Sequence, residues 1–256
     1  MKYNAVLLAG AENSDLIPEK LTTDYEALLE INGKAIVNYV LEALNNAEQV
    51  NRIIVVGPKN AEKLLIANGA DLVIKSKKSI IENIEAGLEV LDKKFNINQP
   101  CLLITSDIPL VTSEAIDSFI ADCERKGESG VYYPIISKEV VQSAYPTFDS
   151  TYVDLKDDTY TGGNLTLIKP KVIIESMPLL EKIIENRKNP FKMSRIIGLK
   201  FAAKLFFGCL SLAEIETKIS QLIGSSCRAI ISSYPELNLD VDKYQDLELM
   251  RNLIGN

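Results

Sequence analysis

Over residues 3–136, apolar runs of strand length alternate with apolar stripes at helical spacing, which leaves few folds open. Residues 3–9 form an apolar run interrupted only by Asn4 and ended by Gly10, and residues 52–56 form another that opens on Arg52 and is followed by Gly57-Pro58. Further runs lie at 71–74, 101–104 and 130–136. Between them Ile36, Val37, Val40, Leu41 and Leu44 share one helical face, as do Ile80, Ile81, Ile84, Leu88 and Leu91. Another helix is expected over 61–67, and one more from near Thr112. Strand–helix alternation of this kind predicts an α/β fold, a three-layer, mostly parallel sheet.

The second half is less regular. Strands are expected at 151–155 and 164–168, flanking a turn at Thr161-Gly162-Gly163, and another at 228–232. Residues 177–224 read as at least three helical pieces broken at Pro190 and Gly208, and a last helix covers 244–253. Nothing in the pattern marks a linker, so one domain over 1–256 is expected.

Residues 101–110 hold the most informative turn. Four strand formers lead into Thr105-Ser106-Asp107, and Pro109 then forbids a central strand from continuing. Asp107 therefore stands at the carboxyl end of a strand, where open α/β sheets bind ligands. A turn or helix cap is the competing role.

The chain has no histidine, which removes Ser-His-Asp and Cys-His catalysis, histidine-bound zinc and imidazole acid–base chemistry. A formal charge of −7 argues against nucleic acid as a partner. Cys101, Cys123, Cys209 and Cys227 are widely spaced without a CxxC pair, so buried free thiols are expected. No apolar run approaches a bilayer span, and Met1-Lys2-Tyr3-Asn4 leads straight into a strand; a cytoplasmic location is expected.

Carboxylates must then carry the chemistry. Alternation places Asp240 and Asp242 on one side of an extended segment, with Val241 turned away. Beside the Asp107 strand they would repel one another unless Mg²⁺ or Mn²⁺ held them. Capping the final helix is the alternative for either residue. Gly10 allows a backbone to approach a ligand, although the loop after it is neither a Walker sequence nor GxGxxG. Gly162-Gly163-Asn164 could serve a ligand or a plain hairpin turn. Asn83 could read a base edge or face solvent.

Together these segments resemble the MobA-like NTP transferases, nucleotidyltransferases with a GT-A type, Rossmann-like sheet. The matching stretches are Ala5-Val6-Leu7-Leu8-Ala9-Gly10, then Glu26-Ala27-Leu28-Leu29-Glu30-Ile31-Asn32-Gly33-Lys34, then Asn83-Ile84-Glu85-Ala86-Gly87-Leu88. Ser106-Asp107-Ile108-Pro109-Leu110, Thr161-Gly162-Gly163-Asn164 and Asp240-Val241-Asp242 follow in family order. The resemblance implies a nucleotide-binding half (1–136) and an acceptor half (137–256) with a helical elaboration. It implies nucleotide contacts from Leu8, Ala9, Gly10, Ala11, Asn83 and Ser106, and an acceptor near Gly162, Gly163 and Asn164. Asp107 and Asp242 would hold the metal, with Asp240 assisting. The family's loop cations are missing: the loop has no arginine, the usual lysine position reads Glu26, and Lys20 is the one cation in residues 10–24. Lys20 is therefore the expected pyrophosphate contact.

The expected activity is metal-dependent transfer of a nucleoside monophosphate from an NTP to a small acceptor. A nucleotide-binding homologue without activity and a glycosyltransferase using a nucleotide sugar are the alternatives, and a homo-oligomer is compatible with either. Residues 191–224 read as two helices, with Lys192, Arg195, Lys200 and Lys204 on the first. They are expected either to pack on the core or to form a lid or acceptor pocket for a partly apolar or phosphorylated acceptor.

Overall fold

The structure is a computed structural model that describes residues 1–12, 23–95, 98–186 and 189–255, with Pro190 described in its backbone only. The first strand, β1 (Tyr3–Leu8), is followed by a small hairpin of β2 (Glu30–Ile31) and β3 (Lys34–Ala35) leading into α1 (Ile36–Asn46). Then come β4 (Val50–Gly57), α2 (Glu62–Ala67), β5 (Leu72–Lys75), α3 (Ile80–Lys94), β6 (Cys101–Thr105), α4 (Ser113–Arg125), β7 (Val131–Ser137) and α5 (Lys138–Ala144). The rest comprises β8 (Val153–Asp154), β9 (Thr159–Gly162), β10 (Leu165–Ile168), α6 (Pro170–Asn186), α7 (Pro190–Ile197), α8 (Leu199–Phe206), α9 (Leu212–Ile223), β11 (Cys227–Ser232) and α10 (Tyr244–Ile254).

Among the described residues, nine strands form one sheet in the order β5-β4-β1-β6-β10-β7-β9-β8, with β11 added on β7. Only β9 and β10 run against the others, so the sheet is mixed and mostly parallel. From β1 the chain winds outward through β4 to β5, then returns to place β6 on the other flank of β1. The carboxyl ends of β1 and β6 therefore bound a switch-point crevice. Their register pairs Leu8 with Thr105, so Gly10 and Asp107, each two residues further on, emerge at the same edge.

Side-chain alternation loads both faces of this sheet. Ala5 and Leu7 join the core that also holds Val37, Val40 and Leu41 of α1 and Ile116, Phe119 and Ile120 of α4. Val6 and Leu8 join the opposite core with Ile84, Leu88 and Leu91 of α3 and Ile173 and Met177 of α6. That is the three-layer arrangement the periodicity predicts.

Three local expectations are corrected. Gly162 and Gly163 do not make a hairpin turn, because β9 and β10 pair along the same side of β7 rather than with each other. The helical stretch begins earlier, at Pro170, and residues 191–224 contain three helices rather than two: Gly198, at φ 93°, separates α7 from α8. A glycine in that backbone region pays no Cβ penalty, which explains the break. Cys101 and Cys123 are buried free thiols, but Cys209 is exposed and Cys227 only partly covered. No helix among the described residues is long and apolar enough to cross a membrane.

Candidate functional site

Asp107 leaves β6 into a turn whose hydrogen bonds fix the carboxylate. Thr105 Oγ1 donates to Asp107 Oδ1 at 2.5 Å, and Val241 N donates to the Asp107 carbonyl at 2.9 Å. The second bond draws the C-terminal segment onto the end of β6. Val241 is buried, and the carboxylates on either side of it meet Asp107: ligand oxygens of Asp107, Asp240 and Asp242 lie within 4.8 Å of one another.

The capping alternatives are taken by other residues. Thr112 caps α4, accepting from Ala115 N at 3.1 Å, so Asp107 is not the cap. At α10 it is Asp246 Oδ2 that accepts from Asp242 N at 3.2 Å and from Lys243 N at 3.0 Å. Asp242 is left exposed at the cluster.

Electrostatics register the crowding. Burial pushes the Asp240 carboxyl up to about 7, and the charges of Asp107 and Asp242 add to the shift. Asp107 is raised too, first by burial and further by Asp242, while the Thr105 hydroxyl and its own amide pull it back. Tyr133 belongs to the same neighbourhood, its phenol raised by burial and then by the Asp240 charge.

A cavity of about 240 Å³ opens beside Asp107, lined by Leu8, Gly10, Ala11, Asn83 and Ser106, and also by Glu12, Glu26, Lys77 and Lys78. Five of the six residues expected to touch nucleotide thus line one cavity. The sixth, Ala9, is buried in the core at 1% exposure and does not line it. Gly10 is required by close approach: a Cβ there would lie 2.6 Å from Ser76 Cβ and 2.8 Å from Asn83 Nδ2. Asn83 is buried rather than solvated; its Oδ1 accepts from Lys77 N at 2.6 Å, and its Nδ2 is unpartnered among the described residues. Lys77 and Lys78 were missed in the sequence because they sit between β5 and α3, outside any motif. Lys20 lies outside the described residues.

The glycine pair reaches the same edge by strand direction. Because β10 is antiparallel to β6, its start meets the end of β6, and Thr105 N donates to the Asn164 carbonyl at 3.1 Å. A Cβ on Gly163 would lie 2.9 Å from Pro134 Cγ and 3.1 Å from the Leu237 carbonyl, and one on Gly162 would meet the Tyr133 hydroxyl at 2.1 Å. Asn238, which the sequence did not single out, ties this step to the carboxylates. Its Nδ2 donates to the Gly162 carbonyl at 2.7 Å, and its Oδ1 accepts from Ser150 Oγ at 2.6 Å. No described residue of α7 or α8 lines the Asp107 cavity, whereas Leu212, Ile215, Glu216 and Ile219 of α9 line a separate, largely apolar cavity with Tyr133 and Gly162.

Comparison with known proteins places this geometry. Residues 5–188 match the family model of the MobA-like NTP transferase domain. The chain belongs to the MobA-like NTP transferase family. This family is one of nucleotidyltransferases. A probable molybdenum cofactor guanylyltransferase from Thermococcus gammatolerans is 24% identical over 180 residues, which span 67% of this chain and 86% of that protein. A hypothetical transferase from Thermus thermophilus superposes with a TM-score of 0.83 at 32% identity, covering 96% of this chain and 100% of that one. A CMP:2-keto-3-deoxy-manno-octonic acid synthetase complexed with CTP shares the fold, with a TM-score of 0.64 at 13% identity over 99% of both chains. In this MobA-like transferase Asp240 and Asp242 lie beyond the residues matched by the family model.

Proposed function

We propose that the protein transfers a nucleoside monophosphate from an NTP to a small acceptor and releases pyrophosphate, using Mg²⁺ or Mn²⁺ held by Asp107 and Asp242 with Asp240 beside them. The observation that carries this reading is the convergence of three carboxylates within 4.8 Å, one of which, Asp107, also lines the cavity of Gly10 and Asn83. The donor set fits such a cation: it is all oxygen, and Asp240 is pushed up to about 7 by burial and by its acidic neighbours. When bound, the cation would neutralise and orient the α-phosphate.

The chain's own groups supply the rest. The missing Gly10 side chain lets Asn83 and Ser76 close up against the end of β1, and Asn83 Nδ2, unpartnered among the described residues, offers a donor to a base or ribose acceptor. Lys77 and Lys78 stand at the cavity and offset phosphate charge that Glu12 and Glu26 would oppose, whatever Lys20 contributes. An acceptor oxygen approaching past Gly162, Gly163 and Asn164 bonds to the α-phosphorus as the bond to the α–β bridging oxygen breaks, and pyrophosphate departs. A phosphate acceptor is already ionised near neutral pH, so the step needs no histidine base.

The test is pyrophosphate release from each NTP with Mg²⁺ and a panel of phosphorylated and hydroxylic acceptors, beside thermal shifts with NTP alone and with Mg²⁺. Asp107→Ala is expected to abolish the Mg²⁺-dependent part of nucleotide stabilisation. Nucleotide binding indifferent to both Mg²⁺ and this substitution overturns the metal assignment, and selective turnover of a nucleotide sugar overturns the NTP.

A further inference from the structure

The helices α7 and α8 do not do what their apolar content suggests. Neither contributes a buried side chain to the core among the described residues: Phe191, Leu199, Phe206 and Phe207 are 82%, 74%, 85% and 73% exposed. Four of the chain's seven phenylalanines fall within residues 191–207, so this is where the molecule concentrates its aromatic surface, and three of the four are exposed. On α8 the exposed residues Leu199, Ala203 and Phe206 follow an i, i+4, i+7 spacing, one apolar stripe facing outward. Phe207 extends it, packed edge-to-face on Phe206 with ring centroids 5.3 Å apart.

Charge accompanies the stripe. Residues 189–213 contain no Asp or Glu but carry Lys192, Arg195, Lys200 and Lys204, in a chain whose net charge is −7. Lys204 is neutralised by Glu214 at 2.7 Å. Lys192, Arg195 and Lys200 have no acidic partner among the described residues, and Lys192, Arg195 and Lys200 are exposed alongside the apolar residues. A surface with outward phenylalanine and leucine, flanked by unpaired cations and too short to span a bilayer, matches an interfacial helix on anionic lipid.

We propose that α7 and α8 form a docking surface for an anionic phospholipid membrane, with the apolar residues entering the acyl boundary and the three cations meeting lipid phosphates. A second copy of the chain fits this surface less well. An isologous contact would bring the same basic patch from both copies together, and nothing acidic on these helices would answer it.

Co-sedimentation with vesicles tests this directly. The full chain is expected to pellet with equimolar phosphatidylglycerol and phosphatidylcholine, not with phosphatidylcholine alone, and to be released by high salt. Combining Lys192→Gln, Arg195→Gln and Lys200→Gln is expected to weaken binding by on the order of a hundredfold, since each basic residue near an anionic surface adds about 1 kcal/mol. Leu199→Ser with Phe206→Ser should weaken it comparably while leaving the charge intact. Both variants alter exposed positions, so circular dichroism and stabilisation by Mg²⁺ and NTP should match the wild type. Failure of the wild type to pellet with anionic vesicles, equal binding to neutral ones, or undiminished binding by either variant overturns the proposal. So does a dimer that Phe206→Ser dissociates in the absence of any vesicle binding.

Discussion

Asp246 decides what Asp242 is free to do. By accepting from the amides of Asp242 and Lys243 it satisfies the start of α10 and leaves the Asp242 carboxylate at the cluster. Asp246→Ala is expected to cost about 1–2 kcal/mol in urea unfolding, the usual range for a lost helix cap, and to lower Mg²⁺-dependent stabilisation by loosening Asp242. Asp240 gives a pH signature. Its folded value, about 7, is raised from the ordinary 3.8, so the folded state keeps a proton that the unfolded state has lost. Its contribution to stability is therefore fully present below about pH 4 and lost as pH rises through about 7. Metal-free protein should lose this part of its stability between about pH 4 and pH 7, and Mg²⁺, which displaces the proton, should stabilise more at the higher pH. Melting curves at both pH values, with chelator and with Mg²⁺, check the sign. The sequence alone marked Asp107, Asp240 and Asp242 because each stands where a strand or extended segment must stop. It did not show Asp246 as the cap, since a backward-reaching N3 carboxylate looks the same in sequence as any acidic residue in a first helical turn.

At the level of elements, the parallel half was legible and the antiparallel insertion was not. Alternation and helical spacing are local, so β1, β4, β6, α1, α3 and α4 follow from residues close in sequence. The step from β9 to β10 depends on partners such as Tyr133, Pro134 and Leu237, distant in the chain, so two glycines read as a turn when they serve close packing. Gly163→Ala is expected to destabilise the fold by about 1–3 kcal/mol, because the new Cβ meets the Leu237 backbone as well as the Pro134 ring. Gly162→Ala should cost less, since the Tyr133 ring can swing away from its Cβ, and should instead alter acceptor kinetics by moving Tyr133. Chemical denaturation beside steady-state kinetics separates the two effects. The exposure of α7 and α8 was equally hidden: an amphipathic stripe identifies a face that needs cover without saying whether this chain provides it.

For the whole molecule the question is how an acidic protein holds a polyanion. The chain carries −7, its carboxylate cluster faces the site, and Glu12 and Glu26 line the nucleotide cavity. Lys77 and Lys78 are the cations that the described cavity provides, and they come from the loop before α3 rather than from the loop after β1, where family resemblance directs attention to Lys20. Folding brings the two loops together because β5, β4 and β1 are successive neighbours in the sheet. If the lysines offset the phosphates while the carboxylates hold the metal, the two roles should separate. Replacing Lys77 and Lys78 with alanine should raise the KM for NTP about tenfold and flatten its dependence on ionic strength, since exposed charges act through a screened field. Stabilisation of the same variant by Mg²⁺ alone should stay at the wild-type level, because the carboxylate cluster consists of Asp107, Asp240 and Asp242 and includes neither lysine. An unchanged KM with an unchanged salt dependence would return the phosphate-binding role to Lys20, and Lys20→Ala would then be the variant that raises it.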